Sequence, residues 1–229
     1  MAAATNETGF FGPEAFRFLR ELAKNNNRPW LLANKARYES AVQAPALRFI
    51  QAMTPRLSEF SVHIVAEARP FGGALSRVYR DTRFSKDKSP YKTHVGIHFA
   101  HEDAGSGEHL PGFFFHMGPG ESMVAAGMWH PSPPALTKIR DAIVASPAGW
   151  AKVLKGGIEI EGESYARVPA GYPADRAFSV DLRRKDFFAS HAFSDAEVAS
   201  DGFARAFLAA CRTLNPLNTF LARATGTPW

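Results

Sequence analysis

One cysteine, Cys211, is all the thiol chemistry that 229 residues offer. An internal disulfide is excluded, as is any zinc site built on cysteine pairs, and a lone thiol fits a reducing compartment. Long apolar runs are missing too: none approaches the roughly 18 residues that a membrane helix needs. Residues 1–8 lack both the positively charged and the apolar stretch of a secretory leader. The chain therefore reads as soluble and cytoplasmic, without a membrane partner. Several enzyme signatures are also absent. There is no phosphate-binding loop with Gly-Lys before Ser or Thr, no GxGxxG after a strand and no GxSxG elbow. No HExxH helix or calcium loop occurs either, and no cofactor is assigned. Neither a repeat nor a low-complexity tract divides the chain, so residues 1–229 read as a single domain.

What is present is enough apolar material for a core, including 19 phenylalanines. Positive charge is unevenly spread. Residues 77–92 hold six cations and two carboxylates, a surplus of four, while the whole chain carries only +5. The remainder is almost neutral. A charge this concentrated is either a binding site for an anion or a solvated loop.

Periodicity divides the chain into three parts. Residues 10–60 read as helical: Pro13 and Glu14 start a helix carrying Phe16, Leu19 and Leu22, which the run Asn25, Asn26, Asn27 stops. Arg28-Pro29-Trp30 opens a second helix and Pro45 a third. Residues 61–130 read mainly as strand. Val95, Ile97 and Phe99 alternate with His94, Gly96 and His98, residues 112–117 form a second strand and residues 122–128 a third. Residues 131–229 are mixed, with helices opened by Ser132-Pro133 and Ser146-Pro147 and a β-like stretch over 158–168. Ser194 and Glu197 have capping-box spacing, and a last helix bears Phe203, Phe207, Cys211 and Leu214 until Pro216 breaks or ends it. The expected fold is α+β, a central antiparallel meander flanked by N-terminal and C-terminal helices. Trp30 and Trp129 read as core residues.

The basic segment is the leading candidate site. Guanidinium groups are planar, always charged and suited to two-point binding of carboxylate or phosphate. Asp81 and Asp87 neutralise at most two of the six cations, so four must face water or meet an anion. Val78, Tyr79, Phe84 and Tyr91 are woven through the segment and Pro90 stiffens it, which argues for cations held in place. The reading places Arg77 at a strand end and the rest in a loop. Arg77, Arg80, Arg83, Lys88, Tyr91 and Lys92 form the anion-binding set, with Asp81 orienting an arginine. The partner is an anionic, possibly phosphorylated, small molecule. A nucleic acid contacted through the same cations, with Tyr79, Phe84 or Tyr91 stacked on bases, is the alternative. A plain ion-pair network tying a scaffold together is the third reading. The knot Arg183, Arg184, Lys185 either extends the site or, the favoured reading, is a surface loop.

Histidines form a second constellation. His94 and His98 lie four apart on one strand and share a face. Pairing across residues 102–110 puts His116 opposite Gly96 on that face. Three imidazoles with Glu121 would suit a metal, but scattered histidines on a half-exposed sheet are the commoner outcome, and no metal ligand is assigned. His116, with Glu121 close in sequence, is the best candidate for proton transfer. The catalytic candidates are therefore His116, Glu121 and Asp81.

The pattern Arg77-x-x-Arg80-Asp81-x-Arg83-Phe84, followed by Asp87-Lys88-x-Pro90-Tyr91-Lys92, resembles the hallmark of a family, Domain of Unknown Function 2461. Residues 25–30, Asn34, Tyr38 and Pro45 also resemble it, as do residues 114–116, Glu121-Ser122, residues 127–129 and Pro131. The resemblance spans nearly the whole chain and implies no particular reaction, since members of the family have no assigned activity.

Overall fold

The computed structural model describes residues 9–104, 110–175 and 178–229. The leaderless reading of residues 1–8 and residues 105–109 of the expected glycine-rich loop lie outside them. Helix α1 (Pro13–Lys24) begins with Pro13 in its first turn and buries Ala15, Phe16, Phe18, Leu19 and Leu22. Asn25 caps its end, and Asn27 opens α2 (Arg28–Ala33) by accepting from the Trp30 N–H at 3.0 Å. Next come α3 (Lys35–Tyr38), a π-helical turn (Glu39–Gln43) and α4 (Ala44–Leu57). Pro45 thus sits in the first turn of α4, but no break precedes it, because Gln43 and Ala44 are themselves in helical conformation.

The strands are β1 (Ile64–Val65), β2 (Val95–His101), β3 (Gly112–Met117), β4 (Ser122–Met128) and β5 (Phe187–Phe193). They form one antiparallel sheet in chain order. The expected meander is present and is longer than the sequence reading made it: β5 pairs along β4 from Met128↔Phe187 to Ser122↔Phe193. The β-like stretch over 158–168 makes only single bridges, Glu161 to Phe188 and Ser164 to Arg184. After β4 come α5 (Pro133–Ala145), α6 (Pro147–Leu154), α7 (Ser179–Leu182), α8 (Asp195–Val198) and α9 (Phe203–Thr225). The capping box on α8 forms as its spacing predicts.

Alternation sets the two faces of the sheet. Ile97, Phe99, Phe113, Phe115, Val124 and Ala126 point into a core that α4 and α9 cover. Phe49 of α4 sits at its centre, with ring centroids 5.0–5.5 Å from Phe10, Phe11, Phe115, Phe203 and Phe207. The even-numbered positions of β2 and β3 (Gly96, His98, Phe114, His116) occupy the other face.

Two expectations fail for identifiable reasons. Helix α9 runs through Pro216 to Thr225. Pro216 and Arg212 are both exposed, so the backbone carbonyl that proline leaves unpaired, four residues back, lies on the solvent side. Trp129 is 59% exposed rather than core. Met128 points inward, so its neighbour points out, and the indole stacks on His130 at 4.4 Å. Among the described residues no helix is long and apolar enough to cross a membrane.

Phe49→Ala removes the ring that this cluster surrounds. Equilibrium urea unfolding is expected to show a loss of about 3–5 kcal/mol.

Candidate functional site

Between its single bridge at Leu75↔Ile97 and the start of β2, the chain leaves the sheet and returns as an irregular two-stranded arm. The arm is closed at its base by a bridge between Tyr79 and Tyr91, whose rings lie 5.4 Å apart. The Arg80 N–H donates to the Pro90 carbonyl at 2.9 Å and the Lys92 N–H to the Val78 carbonyl at 2.8 Å. A third contact docks the arm on the helices. Asn26, in the α1–α2 turn, donates through Nδ2 to the Tyr91 carbonyl at 2.9 Å and accepts from the Tyr91 N–H through Oδ1 at 3.0 Å. Its amide does the work of a strand edge.

Beyond the base, the acids of the arm meet its arginines. Arg83 donates from Nε and Nη2 to the Asp81 carboxylate, at 3.0 and 2.7 Å for the nearest pairs. This holds the Asp81 carboxyl down at about 2. Asp87 accepts from the Ser89 N–H and hydroxyl at 2.9 and 2.6 Å and pairs with Arg80, so it too stays well below the usual carboxylate range. Lys88 donates to the Thr82 carbonyl at 2.9 Å. Arg83 and Phe84 form the tip: the guanidinium lies 5.8 Å from the ring centroid, and the ring is 95% exposed.

The six residues of the expected anion set do not converge. A cavity of about 490 Å³ between the Asn26 turn and the arm is lined by Arg80, Tyr91, Lys92 and His94, together with Asn26, Asp81, Asp87 and Ser89. Arg77, Arg83 and Lys88 are not on its wall. Arg77 stays off the wall but is near enough to Lys92 and Asp81 to act on both electrostatically. Arg83 is held at the tip by Asp81. Tyr91 is buried, which removes it from the stacking role that the nucleic-acid reading gave it. Lys92 is half-buried, and among the described residues no carboxylate lies within ion-pair distance of it. Burial lowers its pKa, and Arg77 adds to the effect. Arg183, Arg184 and Lys185 are not on the wall either; Lys185 pairs with Glu163 at 3.0 Å.

The histidines gather beside this cavity. Gly96 lies opposite His116, as the alternation predicts. His94 and His116 are diagonal neighbours across that pair, and their rings approach to 4.4 Å between centroids. Nε2 of His116 is 3.4 Å from Oε1 of Glu121 in the β3–β4 turn. One ligand atom from each of His94, His116 and Glu121 lies within 4.8 Å of the others. His98 does not join them. It is opposite Phe114, with ring centroids 4.6 Å apart. Burial, with His116, Lys92 and Arg80 nearby, pushes the His94 imidazole down to about 4 despite Glu121, so it is neutral at neutral pH. Gly118 makes room for the pair: a Cβ there would stand 2.7 Å from Oε1 of Glu121 and 3.1 Å from Nε2 of His116.

Sequence reasoning missed Asn26 as the arm's anchor. A signal was available: three consecutive asparagines stand where two helix caps need only two. The family model described as "Conserved hypothetical protein (DUF2461)" matches residues 14–220, and the chain belongs to that family. No curated protein and no solved structure matches the chain.

Asn26→Ala leaves the Tyr91 N–H and C=O without partners. Stability is expected to fall by about 1–3 kcal/mol, and amide exchange at Tyr91 should accelerate. Unchanged exchange at that amide would show that the arm is held by other contacts.

Proposed function

We propose that this member of the DUF2461 family binds a small anion, a molecule carrying a phosphate or carboxylate, in the cavity between the Asn26 turn and the basic arm. The observation that carries the reading is Lys92: a half-buried ammonium on the cavity wall, beside Arg80 and without an acidic partner among the described residues. An unpaired charge withdrawn from water costs several kcal/mol, and an anion in the cavity relieves that cost. Arg80 is already oriented by Asp87 and by the Ser85 hydroxyl at 3.5 Å, so its remaining N–H donors need no reorganisation to meet a ligand.

Charge accounting limits the ligand. Asp87 offsets Arg80 and Asp81 offsets Arg83, which leaves Lys92 as the cation on the cavity wall without an acid, with Arg77 near enough to act on it. One such cation on the wall suits one phosphate or carboxylate better than a polyanion. Asp81, held ionised, orients Arg83 rather than moving a proton. His116 and Glu121 are not on the cavity wall, whereas their neighbour His94 is.

Calorimetric titration with inorganic phosphate, and thermal-shift screening against phosphorylated and carboxylated metabolites, test the reading. At least one anion should stabilise the protein. Lys92→Ala and Arg80→Ala should each weaken its binding about tenfold or more, and Arg83→Ala should leave it nearly unchanged. Indifference to every anion, or equal loss in all three variants, refutes it.

A second reading rests on Phe84, which stands almost fully exposed beside Arg83, with Tyr79 half-exposed at the base of the arm. An exposed ring flanked by cations is a stacking platform for single-stranded nucleic acid. Anisotropy with a labelled single strand should then fall steeply with salt and weaken in Phe84→Ala. No binding at low salt removes this reading.

A further inference from the structure

One group of donor atoms remains unspent: that of His94, at the edge of the cavity wall, with His116 and Glu121. We propose that these three side chains form a mononuclear site for a first-row divalent cation of the zinc or ferrous type. Two imidazoles and one carboxylate are a donor set such ions favour, whereas magnesium and calcium prefer oxygen alone.

The argument is geometric. The ligands come from three places: the approach to β2, the end of β3 and the β3–β4 turn. They already stand with their donor atoms within 4.8 Å of one another. With metal–ligand bonds of about 2.0–2.2 Å, side-chain rotation of about an ångström closes the set. A glycine shapes the place: Gly118 leaves the space that the Glu121 carboxylate and His116 occupy. The turn beneath them is fixed by the Ser122 hydroxyl, which donates to the Gly118 carbonyl at 3.0 Å and accepts from its N–H at 3.3 Å.

A comparison within the molecule sharpens the point. His63 and His101 also stack, at 5.3 Å, with Glu102 and Asp103 beside them. There, however, Nε2 of His101 donates to the Pro228 carbonyl and Nδ1 accepts from the Asp103 N–H, so that ring has no nitrogen left for a metal. No such backbone hydrogen bond to the His94 or His116 ring is found among the described residues. His94 also lines the 490 Å³ cavity, so a cation held there would be reached from solvent on that side. Three protein ligands leave positions for water or for an incoming group.

The test uses the full chain, stripped with a chelator and titrated calorimetrically with Zn²⁺ in a buffer without phosphate or carboxylate. One equivalent should bind, and Co²⁺ should give a visible d–d band. His94→Ala should abolish the band. Glu121→Gln, a conservative change at an exposed position, should weaken Zn²⁺ binding more than about tenfold, since even residues that only support metal ligands cost about 10–100-fold. His98→Ala should bind as the parent does. Lys92→Ala should also retain the metal, which separates this site from the anion reading. Absence of stoichiometric uptake, undiminished binding in both His94→Ala and Glu121→Gln, or an equal loss in His98→Ala overturns the proposal.

Discussion

Asn26 gives Tyr91 what a neighbouring strand would give it, an acceptor for its N–H and a donor for its C=O. A two-stranded ribbon without a third partner is marginal in water. The arm over residues 78–92 is such a ribbon, broken by Pro90 and crowded with like charges. One side-chain amide from the helical layer supplies the missing edge and fixes the arm where it meets α1 and β2. The cavity, the position of Lys92 and the approach of His94 to the sheet all follow from that attachment.

Electrostatics within the arm has a local order. Each acid sits beside one arginine and fixes it, Asp81 with Arg83 and Asp87 with Arg80. These pairs are too exposed to contribute much to stability. What they do is set direction: Arg80 stays on the cavity wall beside Lys92, and Arg83 is held at the tip. A segment that looks uniformly basic in sequence is therefore two surfaces: a sheltered wall with one uncompensated ammonium, and a tip where a guanidinium and an aromatic ring stand in solvent.

Much of the fold was legible because alternation is strict where one face is buried. Val95, Ile97 and Phe99 fixed the faces of β2, and the pairing of Gly96 with His116 followed. Strand β5 was not legible. Phenylalanines stand at its ends, but Ala189 to Ala192 between them include no β-branched or strand-favouring aromatic residue, and that stretch acquires strand geometry from pairing with β4. Pro216 misled because tertiary packing carries α9 through it, with the orphaned carbonyl on the solvent side. The cluster of cations was legible as a feature, but its division was not. Which arginine faces which way depends on the Tyr79–Tyr91 bridge and on the Asn26 contact, and both join residues far apart in sequence. Family membership over residues 14–220 agrees with the resemblance carried by the basic motif.

Because α4 and α9 cover the sheet on one side only, odd and even positions along β2 and β3 answer to different demands. Phe99, Phe113 and Phe115 are constrained by volume and shape. His98, Phe114 and His116 lie on the opposite face, outside that aromatic cluster. Architecture of this kind separates what keeps the scaffold folded from the chemistry displayed on the far side of the sheet.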